Sequence, residues 1–170
     1  MPLFRSRPQV PDDVLARLEL PRGEKVLAAA VDANTGAHVV ATTLHLAVVT
    51  DRSVALRKPW HLVDAGQWEP QTWTLTVTWV DGSRPGQWTF APQDTRLPET
   101  VHERVQSTVV LSEPLPLTGR RRGRVVIRRD LQTGGLLTQT VLGRGVRGDD
   151  PEVAAAVSRV SAYLQEQVGL

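Results

Sequence analysis

The residues best able to do chemistry are arginines. Residues 119–147 hold Arg120, Arg121, Arg122, Arg124, Arg128, Arg129, Arg144 and Arg147 against one acid, Asp130, a net charge of +7. The rest of the chain carries twelve basic residues against seventeen acids, a net charge of −5. The planar guanidinium fork matches carboxylate and phosphate oxygens. On a strand, Arg124 and Arg128 share one face, which Arg120 and Arg122 can extend. Arg120, Arg121, Arg122, Arg124, Arg128 and Arg129 are therefore the candidate docking surface for an anionic partner, a protein first and an anionic lipid second. Two plainer readings compete with it. The arginines keep an edge strand soluble, or they pair with acids elsewhere in the chain, since charge runs are most often solvated faces. A nucleic-acid partner fits less well. Single-strand binding interleaves aromatics with basic residues, and Trp60, Trp68, Trp73, Trp79 and Trp88 lie far from the arginines in sequence. Regular alternation sends Trp73, Trp79 and Trp88 to a core, whereas Trp60 and Trp68 follow a looser pattern that can line a groove.

Other constellations are weaker. Gly143 to Gly148 spells G-x-G-x-x-G between a strand pattern and a helix pattern. Asp149 and Asp150 follow at once, and two carboxylates at a helix start repel a pyrophosphate. Leu170 comes before any second parallel strand. That segment reads as a connection, and no cofactor is expected. His38, His45, His61 and His102 show neither metal-ligand spacing nor an HExxH pattern, so no metal site is expected. No G-x-S-x-G elbow surrounds a serine. Glu99 and Glu103 stand four apart, a common surface pair. The chain has no cysteine, hence no disulfide, thiolate metal site or cysteine nucleophile. The reading leans away from an enzyme, with a small-molecule enzyme using a pocket among the strands as an alternative.

A chain of 170 residues, 41% hydrophobic and 22% charged, suits one globular domain or a domain with an appendage. No apolar run reaches the roughly 20 residues of a membrane span. MPLFRSRPQV lacks the apolar core of a signal peptide. A cytoplasmic protein is expected, peripheral at the inner membrane face if lipid is the partner. Net charge is +2 although the isoelectric point is 9.6. With 18 arginines, 2 lysines and one tyrosine, little titrates above neutrality, so the curve is flat rather than strongly basic.

Periodicity supplies the elements. Val14, Leu15 and Leu18 follow Asp12 and Asp13 at helical spacing. Residues 25–31 read as a strand ended by the turn Asp32–Gly36. Residues 37–50 are too long for one strand and should break near Thr42–Thr43. A short strand follows from Ser53. Another runs from Trp60 to Trp68, with Gly66 as a bulge or bend. Thr72, Thr74, Thr76 and Thr78 alternate with Trp73, Leu75, Val77 and Trp79, placing apolar and threonine side chains on opposite faces. Residues 87–91 complete a hairpin. Leu97, Val101, Val105 and Val109 make an amphipathic helix, which Glu113–Leu117 ends and leads into a linker. Residues 124–129 and 136–142 form a second hairpin. Asp150 and Pro151 cap and open a last helix with Val153, Val157, Val160, Leu164 and Val168 on its stripe.

Antiparallel strands closed by an amphipathic helix resemble a pleckstrin-homology-like (PH-like) roll. The lines WHLVDAGQW, VTWVDGS, VHERVQSTVV and RVVIRRD resemble a family of uncharacterised actinobacterial proteins built on such a domain. The resemblance implies a fold and no activity. PH-like domains commonly bind phosphoinositides through basic residues of the first strand-to-strand loop. Here that loop, Asp32–His38, has no lysine or arginine. The expected fold is α+β and mostly β. Residues 1–24 form an arm and short helix, 25–111 a PH-like roll with its helix, and 112–170 a linker, a basic hairpin and a C-terminal helix packed on the same domain. The expected function is a non-catalytic binding or scaffold module.

Overall fold

The computed structural model describes residues 9–93 and 95–170; of the arm expected at the start, residues 1–8 lie outside the described residues. Helix α1 (Asp12–Leu18) follows Pro11, with Asp12 and Asp13 in its first turn. Strands β1 (Val26–Val31), β2 (His38–Thr42), β3 (His45–Val49) and β4 (Val54–Pro59) form one antiparallel sheet in that order. The long apolar run breaks where expected. The Thr42 hydroxyl accepts the backbone N–H groups of Leu44 at 3.2 Å and His45 at 2.8 Å, which folds the chain back. Both faces of β2 and β3 are buried. One faces the main core, and on the other Val14 and Leu18 of α1 cover Val40, Ala47 and Val49. Double burial is why these strands read as continuous rather than alternating apolar runs.

Strands β5 (Val63–Glu69), β6 (Thr74–Trp79) and β7 (Gly86–Thr89) form a second antiparallel sheet, joined to β1 by a bridge between Asp32 and Phe90. Helix α2 (Leu97–Thr108) then lays Leu97, Val101 and Val105 onto a core shared with Trp60, Leu75, Val77 and Phe90.

Four local readings change. Trp60 does not open a strand. It begins a 3₁₀ turn (Trp60–Leu62), fully buried, with its indole N–H donating to the Thr42 carbonyl at 2.9 Å. Gly66 is not the bulge, because the register slips between Val63 and Ala65. A Cβ at Gly66 would stand 2.7 Å from Val101 Cγ1, so the glycine is there to seat α2. Trp73 is not on the apolar face of β6. It precedes the strand at φ 53° and is 37% exposed. The helical stripe stops short of Val109, which begins a strand.

That strand, β8 (Val109–Pro114), occupies what reads in sequence as a helix end and linker. With β9 (Gly123–Arg129) and β10 (Leu136–Leu142) it builds a third antiparallel sheet, ordered β10-β9-β8. Helix α3 (Pro151–Val168) starts on the Asp150 carboxylate, which accepts the N–H of Glu152 at 2.9 Å, and ends at Gly169 with φ 73°. Its Ala156 and Leu164 pack with Leu115, Val125 and Ile127 in a separate core. The architecture is α+β with strands dominant, in three open antiparallel sheets. No helix among the described residues is long and apolar enough to cross a membrane.

Candidate functional site

The six candidate arginines do not form one surface. Strand β9 is the centre of its sheet rather than an edge. Arg128 is 1% exposed and points inward. It donates to the Thr108 hydroxyl at 2.9 Å, the Asp64 carbonyl at 3.3 Å and the Asp64 carboxylate at 3.4 Å. Its Nε has no partner among the described residues. Burial pushes the Arg128 pKa down, against the pull of Asp64, with the Arg124 charge adding to the fall. Asp64, on β5, also accepts from Arg124. One carboxylate of the second sheet thus pins two arginines of the third. Arg121 donates to Glu152, to Asp150 at 3.4 Å and to the Thr118 hydroxyl at 2.6 Å, tying the β8–β9 turn to the start of α3. Its hydrogen bond with Glu152 is the main reason its pKa rises. Arg147 pairs with Asp149 at 2.7 Å.

Arg120, Arg122, Arg129 and Arg144 are exposed, and among the described residues none is in a salt bridge. Arg122 donates to the carbonyls of Gly119 at 3.1 Å and Arg121 at 2.9 Å, Arg129 to that of Gly134 at 3.3 Å. The Gly143 N–H donates to the Arg122 carbonyl at 2.7 Å, so the two loops run side by side. Arg144 therefore joins Arg120 and Arg122 at one end of the third sheet. Arg129 lies at the other end, where Leu136 and Leu137 pair with Arg129 and Arg128. At strand rise, the length of β9 separates the two ends by about 20 Å.

The histidines fall into two settings absent from the sequence reading. His45 Nδ1 lies 2.8 Å from Glu24, whose buried carboxylate also accepts from Thr42 and, at 3.3 Å, from Arg57. Burial raises the Glu24 pKa; the bonds from Thr42 and His45 and the nearby charges outweigh it and hold the group below its ordinary value. His61 Nδ1 is buried without a hydrogen bond, 3.7 Å from Asp130. Burial lowers its pKa, Asp130 pulling the other way and Arg128 and His45 adding to the fall. Gln139 crosses from the third sheet to donate to the His61 carbonyl at 2.8 Å. These groups lie 18 to 78 positions apart in sequence, and no local pattern pairs them. His38 is half-buried and His102 exposed. Among the described residues no three acids or histidines cluster as metal ligands. The Gly143–Gly148 loop connects β10 to α3, with the Asp150 carboxylate on the helix start.

A groove of about 480 Å³ opens beside α2, with Trp68 and Trp73 among its walls and Glu99 at its rim. The two indoles meet edge to face, 6.1 Å between centroids at 83°. Trp68 stacks on Phe90 at 6.2 Å and 21°. The Phe90 N–H donates to the Trp73 carbonyl at 2.7 Å, which anchors the left-handed residue. Trp68 is thus in the groove that its looser pattern allowed, Trp60 is in the core instead, and Trp73 reaches the groove through a backbone conformation that no periodicity announces.

No family model, curated protein or solved structure matches this chain.

Proposed function

We propose that the protein is a non-catalytic binding module, PH-like over residues 25–111, whose anionic protein partner docks on the end of the third sheet that carries Arg120, Arg122 and Arg144. The observation that carries this reading is the side-by-side placement of the two loops through the Gly143–Arg122 hydrogen bond. It sets side by side the two loops that carry three exposed arginines, which sit in no salt bridge among the described residues. Arg121, Arg124 and Arg128 then act as the frame, because their charges are spent on Asp150, Glu152 and Asp64. Support for the PH-like part is the element order, seven antiparallel strands and then a helix on the core they enclose.

A protein partner is favoured over a lipid surface by distance. Peripheral insertion needs an apolar anchor beside the charge. Exposed Leu137, with its neighbour Leu136, could serve as one, and it sits at the opposite end of β9, beside Arg129. A cytoplasmic location accompanies this proposal.

The test compares native protein with Arg120→Ser/Arg122→Ser/Arg144→Ser as baits in whole lysate, alongside vesicles of phosphatidylcholine with or without phosphatidylserine. An acidic protein held by the native bait, lost from the variant and released by salt is the expected result, since exposed charge contacts are screened. Identical captures by both baits would overturn it. Selective recovery on phosphatidylserine vesicles alone would replace the protein partner with lipid.

A further inference from the structure

We propose that the groove between Trp68 and Trp73 binds an arginine side chain presented by a partner protein, with Glu99 as its counter-ion. This is a second site, on the roll and separate from the arginine-bearing end of the third sheet.

The argument starts from the polar inventory. Gln93 has both ends of its amide on the Val31 backbone, each at 3.2 Å. The Thr95 hydroxyl donates to the Ala29 carbonyl at 2.9 Å and accepts the Leu97 N–H at 3.1 Å. These two side chains hold the wall and have little left for a ligand. Among the described residues, Glu99 is exposed, is the one charged side chain of the lining, and has no hydrogen bond or ion pair. The other walls are two indoles and the rings of Pro92 and Pro98. A groove walled by indole and proline rings, whose free charged group among the described residues is a carboxylate, complements a cation with a flat body.

Indole is the best ring for attracting a cation over its face. Two indoles at 83° give a corner, so one cation can meet the face of one ring beside the edge of the other. Among cations, the carboxylate selects one that donates hydrogen bonds. A quaternary ammonium has none to offer. A guanidinium donates in pairs to a carboxylate and stacks on aromatic rings. The pocket volume lies within the usual range of roughly 300–1,000 Å³ for ligand clefts.

The second line of argument is strain. Trp73 is one of two non-glycine residues with positive φ among the described residues. A bulky residue there costs about 1 kcal/mol or more against glycine. Folding alone favours glycine at such a turn, and the indole placed there stays 37% exposed. The left-handed turn, anchored by the Phe90 N–H on the Trp73 carbonyl, sets the ring as the second wall of the corner.

The experiment follows the indole N–H signals of the full-length protein by nitrogen-15 NMR while acetyl-Ala-Arg-Ala-amide is added to about 10 mM, a range that reports millimolar affinity. The control is the same peptide with neutral citrulline for arginine. Saturable shifts confined to Trp68 and Trp73, absent with citrulline, are expected. Glu99→Gln should weaken binding about fivefold or more, the loss of one charge-assisted contact. Trp73→Gly should abolish the Trp68 shift while keeping the melting temperature, because glycine relaxes the φ 53° turn. Equal shifts with citrulline, unchanged affinity in Glu99→Gln, or no saturable shift would each overturn the proposal. A folded Trp73→Gly protein that still binds would do the same. If Trp73→Gly melts lower, Glu99→Gln, on an exposed side chain, decides by the same readings.

Discussion

Arginines crowd residues 119–147 and tryptophans crowd residues 60–88, and the fold spends the two groups differently. Three of the eight arginines are tied to acids of other elements, and one of these, Arg128, is buried. Asp64 takes Arg124 and Arg128, and the start of α3 takes Arg121. The tryptophans divide by strand position. Trp60, Trp79 and Trp88 are buried, while Trp68 and Trp73 form the walls of a groove. A dense charge run looked like a surface and became partly a seam; a set of core-type residues supplied the concave site. The physical cause is the third sheet. Because β8 pairs on one side of β9 and β10 on the other, Arg128 lands between α2 and β5 instead of in water, and a buried guanidinium must find acceptors.

The largest expected effect breaks that seam. Asp64→Ala leaves Arg128 buried without its carboxylate and should cost about 3–5 kcal/mol, read as a lower urea midpoint. Arg128→Met, which removes the buried charge itself, should cost clearly less. Equal losses would mean that packing, not charge, holds the third sheet to the second.

The tryptophan half of the contrast predicts a loss of similar size at one position only. Trp60→Ala empties a fully buried site and leaves the Thr42 carbonyl without its donor, a loss of about 3–5 kcal/mol in thermal or urea unfolding. Trp73→Gly, by contrast, should leave stability almost unchanged. If both variants lost stability alike, Trp73 would belong with the core.

A smaller effect lies in pH. The folded protein lowers the His61 pKa below its ordinary 6.5, so the unfolded chain binds the proton more readily. Stability from this site is complete above 6.5 and falls as pH drops below it. Asp130, Arg128 and His45 are the charges acting on the ring. His61→Asn should flatten stability between about pH 7 and 5. Glu24, held below its ordinary 4.5, adds a further loss at lower pH as its carboxylate protonates. A wild-type curve that stays level between pH 7 and 5 would contradict the His61 reading.

The smallest effect concerns the exposed arginines. Arg120→Ser/Arg122→Ser/Arg144→Ser should shift stability by no more than about 0.5 kcal/mol per site, because these side chains are exposed and, among the described residues, in no salt bridge. A larger loss would make the loop pair a structural clamp instead of a docking surface.

Much of the fold was legible as pattern. The threonine alternation located β6, the break at Thr42–Thr43 separated β2 from β3, and Asp150-Pro151 marked the start of α3. Two kinds of element escaped. The strand Val109–Pro114 escaped because Val109 continues the helical period of α2, and only pairing with β9 pulls the chain into extended form. Trp73 escaped because alternation assumes negative φ throughout, and a single left-handed residue ends the strand face. Of the candidate site, the arginines were visible as a charge run, and so was the option that they pair with acids of the same chain. Which ones pair was not, since Asp64 is 60 positions from Arg124. Glu99 and Trp73 drew no attention as a pair, being distant in sequence and meeting across a turn and a helix start.

By itself, then, the sequence determined most of the local states, with β8 and Trp73 the exceptions. Alternation, helical period, caps and turn residues act within a few positions, where side-chain sterics and backbone hydrogen bonding settle the matter. Tertiary structure decided which charges are spent and which rings are free. Those outcomes depend on desolvation and on partners brought from tens of residues away, and the free energy of a buried guanidinium or an exposed indole is set by what the fold places beside it.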